Sequence, residues 1–171
     1  MKGLGKYIWA ALAIAVLTHV VVLYATPRVL MSVVTNRVAH GRFNVWRPSA
    51  RVTETSRTIV RPSPDLAYSV CPYDLSSGPV RISVRPWHTY WSLSLYQDNS
   101  DNFFVVDDRE SRSGADVTLV RRGAQPPEHA INVVESPSTR GLALIRRLAP
   151  TQSEYDAANE IAKGDICATS P

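Results

Sequence analysis

The hydrophobic rhythm of the chain changes twice. From Tyr7 to Tyr24 the sequence YIWAALAIAVLTHVVVLY is apolar on every side and carries no formal charge. As a helix this stretch is roughly 27 Å long, close to the hydrocarbon thickness of a bilayer. Tyr7, Trp9 and Tyr24 stand near its ends, where amphipathic rings favour the membrane–water interface. A cleaved leader needs small residues before the cut, and Leu23-Tyr24-Ala25 places a leucine there. The pattern therefore predicts an uncleaved signal-anchor over residues 7–25, preceded by a tail at 1–6. Lys2 and Lys6 argue for an inside N-terminus, whereas Arg28, Arg37 and Arg42 oppose it only if they belong to a short loop.

Residues 26–56 read as a juxtamembrane helix and linker. Thr26-Pro27 has the form of an N-cap followed by a first helical residue. Val29, Leu30, Val33, Val34 and Val38 fall mostly on one side, and Gly41 suits a helix end. This segment predicts either an interfacial helix or a stalk continuing the span, with 44–56 as linker.

Beyond residue 57 the period falls to two. Val80, Ile82 and Val84 alternate with Arg81, Ser83 and Arg85, as on a half-buried strand. Trp91, Leu93 and Leu95 alternate with Tyr90, Ser92, Ser94 and Tyr96. The break at Pro86-Trp87-His88 suggests that these two strands pair as a hairpin. Residues 66–71, 103–106, 116–120 and 130–134 read as further short strands. Residues 142–149 are ambiguous by period, with their neighbours favouring a strand. Then the helical period returns: Thr151 and Glu154 form a capping box, Tyr155, Ala158, Ile161 and Ala162 share a side, and Gly164 ends the helix. The fold class expected for 57–171 is mainly β, an antiparallel sandwich or barrel-like domain with a C-terminal helix.

Charge sharpens this picture only locally. The formal net charge is +4, and Arg28, Arg37, Arg42, Arg47, Arg51, Arg57 and Arg61 face a single acid, Glu54. That run suits either a solvated linker or contact with anionic headgroups. The cations are not interleaved with aromatic residues, and no nucleic-acid-binding motif appears, so no nucleic-acid partner is expected. No phosphate loop, nucleophile elbow or zinc-protease motif is present, and the four histidines lack metal-ligand spacing. No cofactor and no metal are expected. Cys71 and Cys167 are the two cysteines; outside the cytoplasm they suggest a disulfide, with buried thiols as the alternative.

Several segments resemble a known family. RPSPDLAYS, then DLSSGPVRISV, then YWSLSLYQDNSDNFFVVDDR, together with ALIRRLAP before an acidic helix, resemble bacterial envelope proteins of domain of unknown function 1254. The turn Asp-Leu-Ser-x-Gly-Pro-Val is the most specific of these motifs, and the resemblance covers 61 to about 164. It implies a β-rich domain in the envelope and no established activity. The chain resembles the short, membrane-anchored type, found in some genomes beside a separate 1214-family protein. That implies a single pass through the bacterial inner membrane with the soluble domain in the periplasm, and an envelope protein partner.

Two functions remain open. One is a non-catalytic interaction module whose face comprises Asp65, Tyr68, Arg81, Arg85, Trp87, Tyr90 and Tyr96, residue types enriched at interfaces. The other is an enzyme or binding protein for envelope polysaccharide or peptidoglycan, with Asp65, Asp74 or Asp98 in an aromatic-lined cleft. The absence of a catalytic motif leans towards the first.

Overall fold

The computed structural model describes residues 4–53, 55–56 and 62–170. Lys2, Glu54, Arg57, Arg61 and the domain start expected at residue 57 lie outside the described residues. The apolar N-terminal run forms one helix, α1, over Leu4–Ala39. At 36 residues it is roughly 54 Å long, and its apolar part is long enough to cross a membrane.

The helix expected to restart at Thr26-Pro27 does not restart: Pro27 lies inside α1. A proline there removes one backbone donor, and beside it the Arg28 guanidinium donates to the Tyr24 carbonyl at 2.8 Å. The helix thus continues without a break, and its packed side differs from the valine stripe. Met31, Thr35 and Ala39, spaced by four, are the buried residues, whereas Val29, Leu30 and Val33 stay exposed. His40 and Gly41 adopt positive φ, and Arg47 donates to the Ala39 carbonyl at 2.6 Å, which closes the helix end.

Two sheets follow. The first contains β1 (Arg47–Pro48), β2 (Leu66–Asp74), β4 (Trp91–Tyr96), β5 (Asn102–Asp107) and β8 (Arg140–Leu148), in the order β1-β2-β8-β4-β5. The second contains β3 (Val80–Val84), β6 (Ala115–Arg121), β7 (Val133–Ser136) and β9 (Ile166–Thr169), in the order β7-β6-β3-β9. All pairings are antiparallel except β6 with β7. Helix α2 (Gln152–Ala162) carries the expected capping box of Thr151 and Glu154.

The hairpin expected between β3 and β4 is absent, because each strand joins a different sheet. Both strands present one fully apolar side, and those sides meet better across a sandwich than side by side in one layer. Trp87 makes the crossing. Its ring is buried and its indole N–H donates to the Leu148 carbonyl at 2.8 Å. Val80, Ile82 and Leu119 from one sheet thus face Trp91, Leu93, Leu95 and Ile145 from the other, all at zero exposure. Fully burying each such side chain contributes about 1.5–3 kcal/mol.

Two further expectations are corrected, and one strand lies where none was expected. The linker contributes the short edge strand β1, with Arg47 opposite Val70. The strand expected at 130–134 begins later, at Val133, after Asn132 at φ 46 sends its amide to the Asp116 carbonyl. The chain after Gly164 returns as β9, beside β3.

Several links cross between the layers, among them the Tyr73 hydroxyl of β2 at 3.0 Å from the Ser136 hydroxyl of β7. Cys71 of β2 and Cys167 of β9 form a disulfide spanning 96 residues of sequence. Arg147 of β8 points inward and grips Asp165 with two hydrogen bonds of 2.8 and 2.9 Å. Their side chains are 2% and 0% exposed. Arg147 also donates to the Arg85 carbonyl, and the Arg85 amide donates to Asp165.

Replacing both cysteines by alanine should lower unfolding stability by about 4–5 kcal/mol, the chain-entropy value for so long a loop; urea denaturation of the detergent-solubilised protein measures it. Asp165→Ala should cost about 3–5 kcal/mol, because it leaves a buried guanidinium unpaired. A loss no larger than that of an exposed ion pair, about 0–1 kcal/mol, would contradict this account.

Candidate interaction surfaces

Strand alternation sends every second residue of the first sheet away from the core. Register sets those residues in rungs across β2, β8 and β4. One rung is Tyr68, Arg146 and Ser92; the next is Val70, Leu144 and Ser94; the third is Pro72, Leu142 and Tyr96. On β5, Val105 extends the second rung and is 50% exposed. Tyr68, Val70, Leu144, Arg146 and Tyr96 are half-buried by their neighbours.

Arg146 organises this face. Its guanidinium donates to the Ser94 hydroxyl at 3.2 Å and to the Tyr96 hydroxyl at 3.0 Å. The Tyr90 hydroxyl donates to Ser92 at 3.0 Å, and the Tyr68 hydroxyl accepts the Ser63 amide at 2.9 Å. The three rings are therefore held in place by hydrogen bonds within the protein. At one end the C-terminal part of α1 leans on the sheet, where Arg47 reaches the Ala39 carbonyl.

The seven face residues named from the sequence do not form one surface. Tyr68, Tyr90 and Tyr96 cluster around Arg146 on the first sheet. Arg81 lies on the second sheet, on the far side of the sandwich, in a bidentate pair with Asp116 at 2.6 and 3.0 Å. Arg85 lies just past β3, where its backbone meets Arg147 and Asp165. Trp87 is core. Asp65 is exposed in the turn before β2, and its carbonyl accepts the Ala149 amide. Arg146 was not named from the sequence; unlike Arg81 and Arg85, it stands beside Tyr68 and Tyr96. Its parity with Leu142 and Leu144 was visible in LALIRRL, but only once that segment is read as a strand.

The carboxylates are dispersed. Asp65 and Asp74 flank opposite ends of β2, roughly 30 Å apart at the rise of a strand. Asp74 accepts from the Ser76 amide at 2.8 Å and from Arg140 at 2.7 Å. Burial pushes its carboxyl up, but the hydrogen bonds from Ser76 and Arg140 outweigh that, and its pKa falls below the ordinary aspartate value. Asp98 lies on the rim near Arg140. Among the described residues no group of three or more His, Cys, Asp or Glu could hold a metal ion. A concavity of about 640 Å³ lies outside the second sheet between Arg81, Thr118, His129 and Ile166.

A β-sandwich carried on a long apolar helix defines the class. The family described as Protein of unknown function (DUF1254) matches residues 41–169, and the chain belongs to that family. Among solved structures, the VPA0106 protein from Vibrio parahaemolyticus is similar with a TM-score of 0.67 at 15% identity, over 86% of this chain and 36% of that one. An uncharacterised protein from Burkholderia cenocepacia aligns at TM-score 0.46 and 16% identity, over 76% of this chain and 37% of that one. This chain thus spans just over a third of either neighbour. The first likeness is one of fold. No curated protein matches.

The depressed Asp74 pKa gives a sign. Its contribution to stability is complete above the unfolded aspartate value and is lost as pH falls through the lower folded value. The thermal midpoint should therefore drop on acidification below about pH 4, and the drop should be smaller in Asp74→Asn, as read by scanning calorimetry.

Proposed function

We propose that this protein is a non-catalytic accessory module of the bacterial cell envelope, anchored in the inner membrane by residues 7–25, with its tail at 1–6 inside and its β domain in the periplasm. The outer face of the first sheet is its working surface. One observation carries the reading: Tyr68, Tyr90, Tyr96 and Arg146 form a pre-ordered, half-exposed band on that face. Tyrosine and arginine are the residues that anchor protein interfaces, because each combines a large contact area with hydrogen-bonding capacity.

The partner is a separate envelope protein of the 1214 family. In the VPA0106 protein a domain of this fold occupies about a third of the chain and adjoins further polypeptide there, which supports polypeptide as the occupant of the outer face.

Pull-down of the full-length protein from gently solubilised native membranes should recover that partner in stoichiometric amount. Tyr68→Ala with Arg146→Ala should weaken recovery more than tenfold, since interface anchors typically cost about 2 kcal/mol or more each. Arg81→Ala, on the opposite side, should leave recovery unchanged. Isolation of a lone monomer under the same conditions, or equal losses from both sets of substitutions, would overturn the assignment.

A further inference from the structure

Where α1 meets the rim of the sandwich, the two leave a groove of about 310 Å³. Arg28, Ser32, Thr35 and Asn36 line it from the helix, and Asp98 and Arg140 from the domain. It takes no part in the tyrosine–arginine band.

Its height is set by the helix. At 1.5 Å per residue, Arg28 stands about 6 Å beyond Tyr24, the last residue of the apolar run, and Ser32 about 12 Å beyond. The polar layer on each side of a bilayer is about 5–8 Å thick. The groove's lower end therefore lies at headgroup level.

The groove's chemistry is that of a zwitterion's complement. Arg28 uses one N–H on the Tyr24 carbonyl and keeps the others. Arg140 gives its Nε to Asp74 and lies over the Phe43 ring, 5.0 Å from its centroid, while its two terminal nitrogens hydrogen-bond to no described residue. The guanidinium fork suits phosphate oxygens, and two such groups share the lining. Thr35 is 5% exposed, and its hydroxyl has no hydrogen-bond partner among the described residues. Facing these donors, the Asp98 carboxylate is exposed and also has no described partner, which leaves an acceptor for an ammonium group.

We infer that this groove binds the headgroup of an aminophospholipid from the adjoining leaflet, phosphate against Arg28 and Arg140 and ammonium against Asp98. The inference rests on α1 spanning the membrane. The full-length protein is reconstituted in phosphatidylcholine nanodiscs doped with phosphatidylethanolamine or phosphatidylglycerol, and retained lipid is read by native mass spectrometry. Phosphatidylethanolamine should be retained in preference to both other lipids. Arg28→Gln should reduce its retention about tenfold, the weight of one charge-assisted hydrogen bond, and Arg28→Lys should restore part of it. Asp98→Asn should bring phosphatidylethanolamine down to the level of phosphatidylcholine. Both positions are exposed, and circular dichroism checks that the variants fold.

Equal retention of the three lipids, or retention indifferent to Arg28→Gln, overturns the inference. So does displacement of the lipid by millimolar inorganic phosphate, which would mark a site for the free anion. Extraction of the protein from native membranes by alkaline carbonate would defeat the spanning helix itself. Resistance to carbonate with no lipid preference would defeat only the headgroup site.

Discussion

A guanidinium lies inside this sandwich, and the surrounding elements are arranged around it. Arg147 stands opposite Ala67 on one side and Trp91 on the other, in the middle of the first sheet. Its partner Asp165 lies between α2 and β9, and the Arg85 backbone, just past β3, closes the constellation. Against a well-packed apolar pair, such an ion pair adds little net stability, because both charges have lost their water. Its effect is on alternatives. A one-residue slip of β8 would turn Arg147 to solvent and strand Asp165 alone in the core. The pair therefore ties the register of the first sheet to the course of the chain after α2. The disulfide ties the same two regions through β2 and β9, so the C-terminal segment is secured once by covalent and once by ionic means.

The same arginine accounts for a weakness in reading the sequence. Strands with uninterrupted alternation, such as 80–84 and 91–95, declared their period and their buried side directly. In LALIRRLA the inward series is Ala143, Ile145, Arg147, and a charge at a core position erases the signal at the point where it would settle the matter. The capping box at Thr151 was legible because capping is a local interaction. Strands β1 and β9 were not, because two and four residues are too few to show a period, and both exist only through pairing with β2 and β3. The false hairpin has a related cause. Two apolar-faced strands with a proline between them fit either one sheet or two, and tertiary packing decides.

The candidate surface was legible in part. Parity set Tyr90 and Tyr96 on one side of their strand, but parity says nothing about which strands are neighbours. Once β8 lies between β2 and β4, Arg146 becomes the residue that bonds to Tyr96 and Ser94 and lies opposite Tyr68. Arg81 and Arg85 belong to the other layer. Trp87 was assigned to the surface because its neighbours Pro86 and His88 read as a turn. Its indole N–H instead uses the Leu148 carbonyl, one of the few acceptors that let so large a ring enter a core.

The continuity of α1 into the domain has a further consequence. A domain on a flexible tether samples every orientation above a membrane, and a partner must arrest that tumbling. Here Met31, Thr35 and Ala39 are buried where α1 meets the domain, so under the membrane-anchored reading proposed above the sandwich keeps one tilt and turns only about the helix axis. Two rotational freedoms are surrendered before any encounter, and they form part of the several kcal/mol that association ordinarily forfeits. Contacts between two molecules held this way become a search in a plane with one angle to find. Under the proposed function, a band as small as Tyr68, Tyr96 and Arg146 then suffices where a freely diffusing protein would need a wider one.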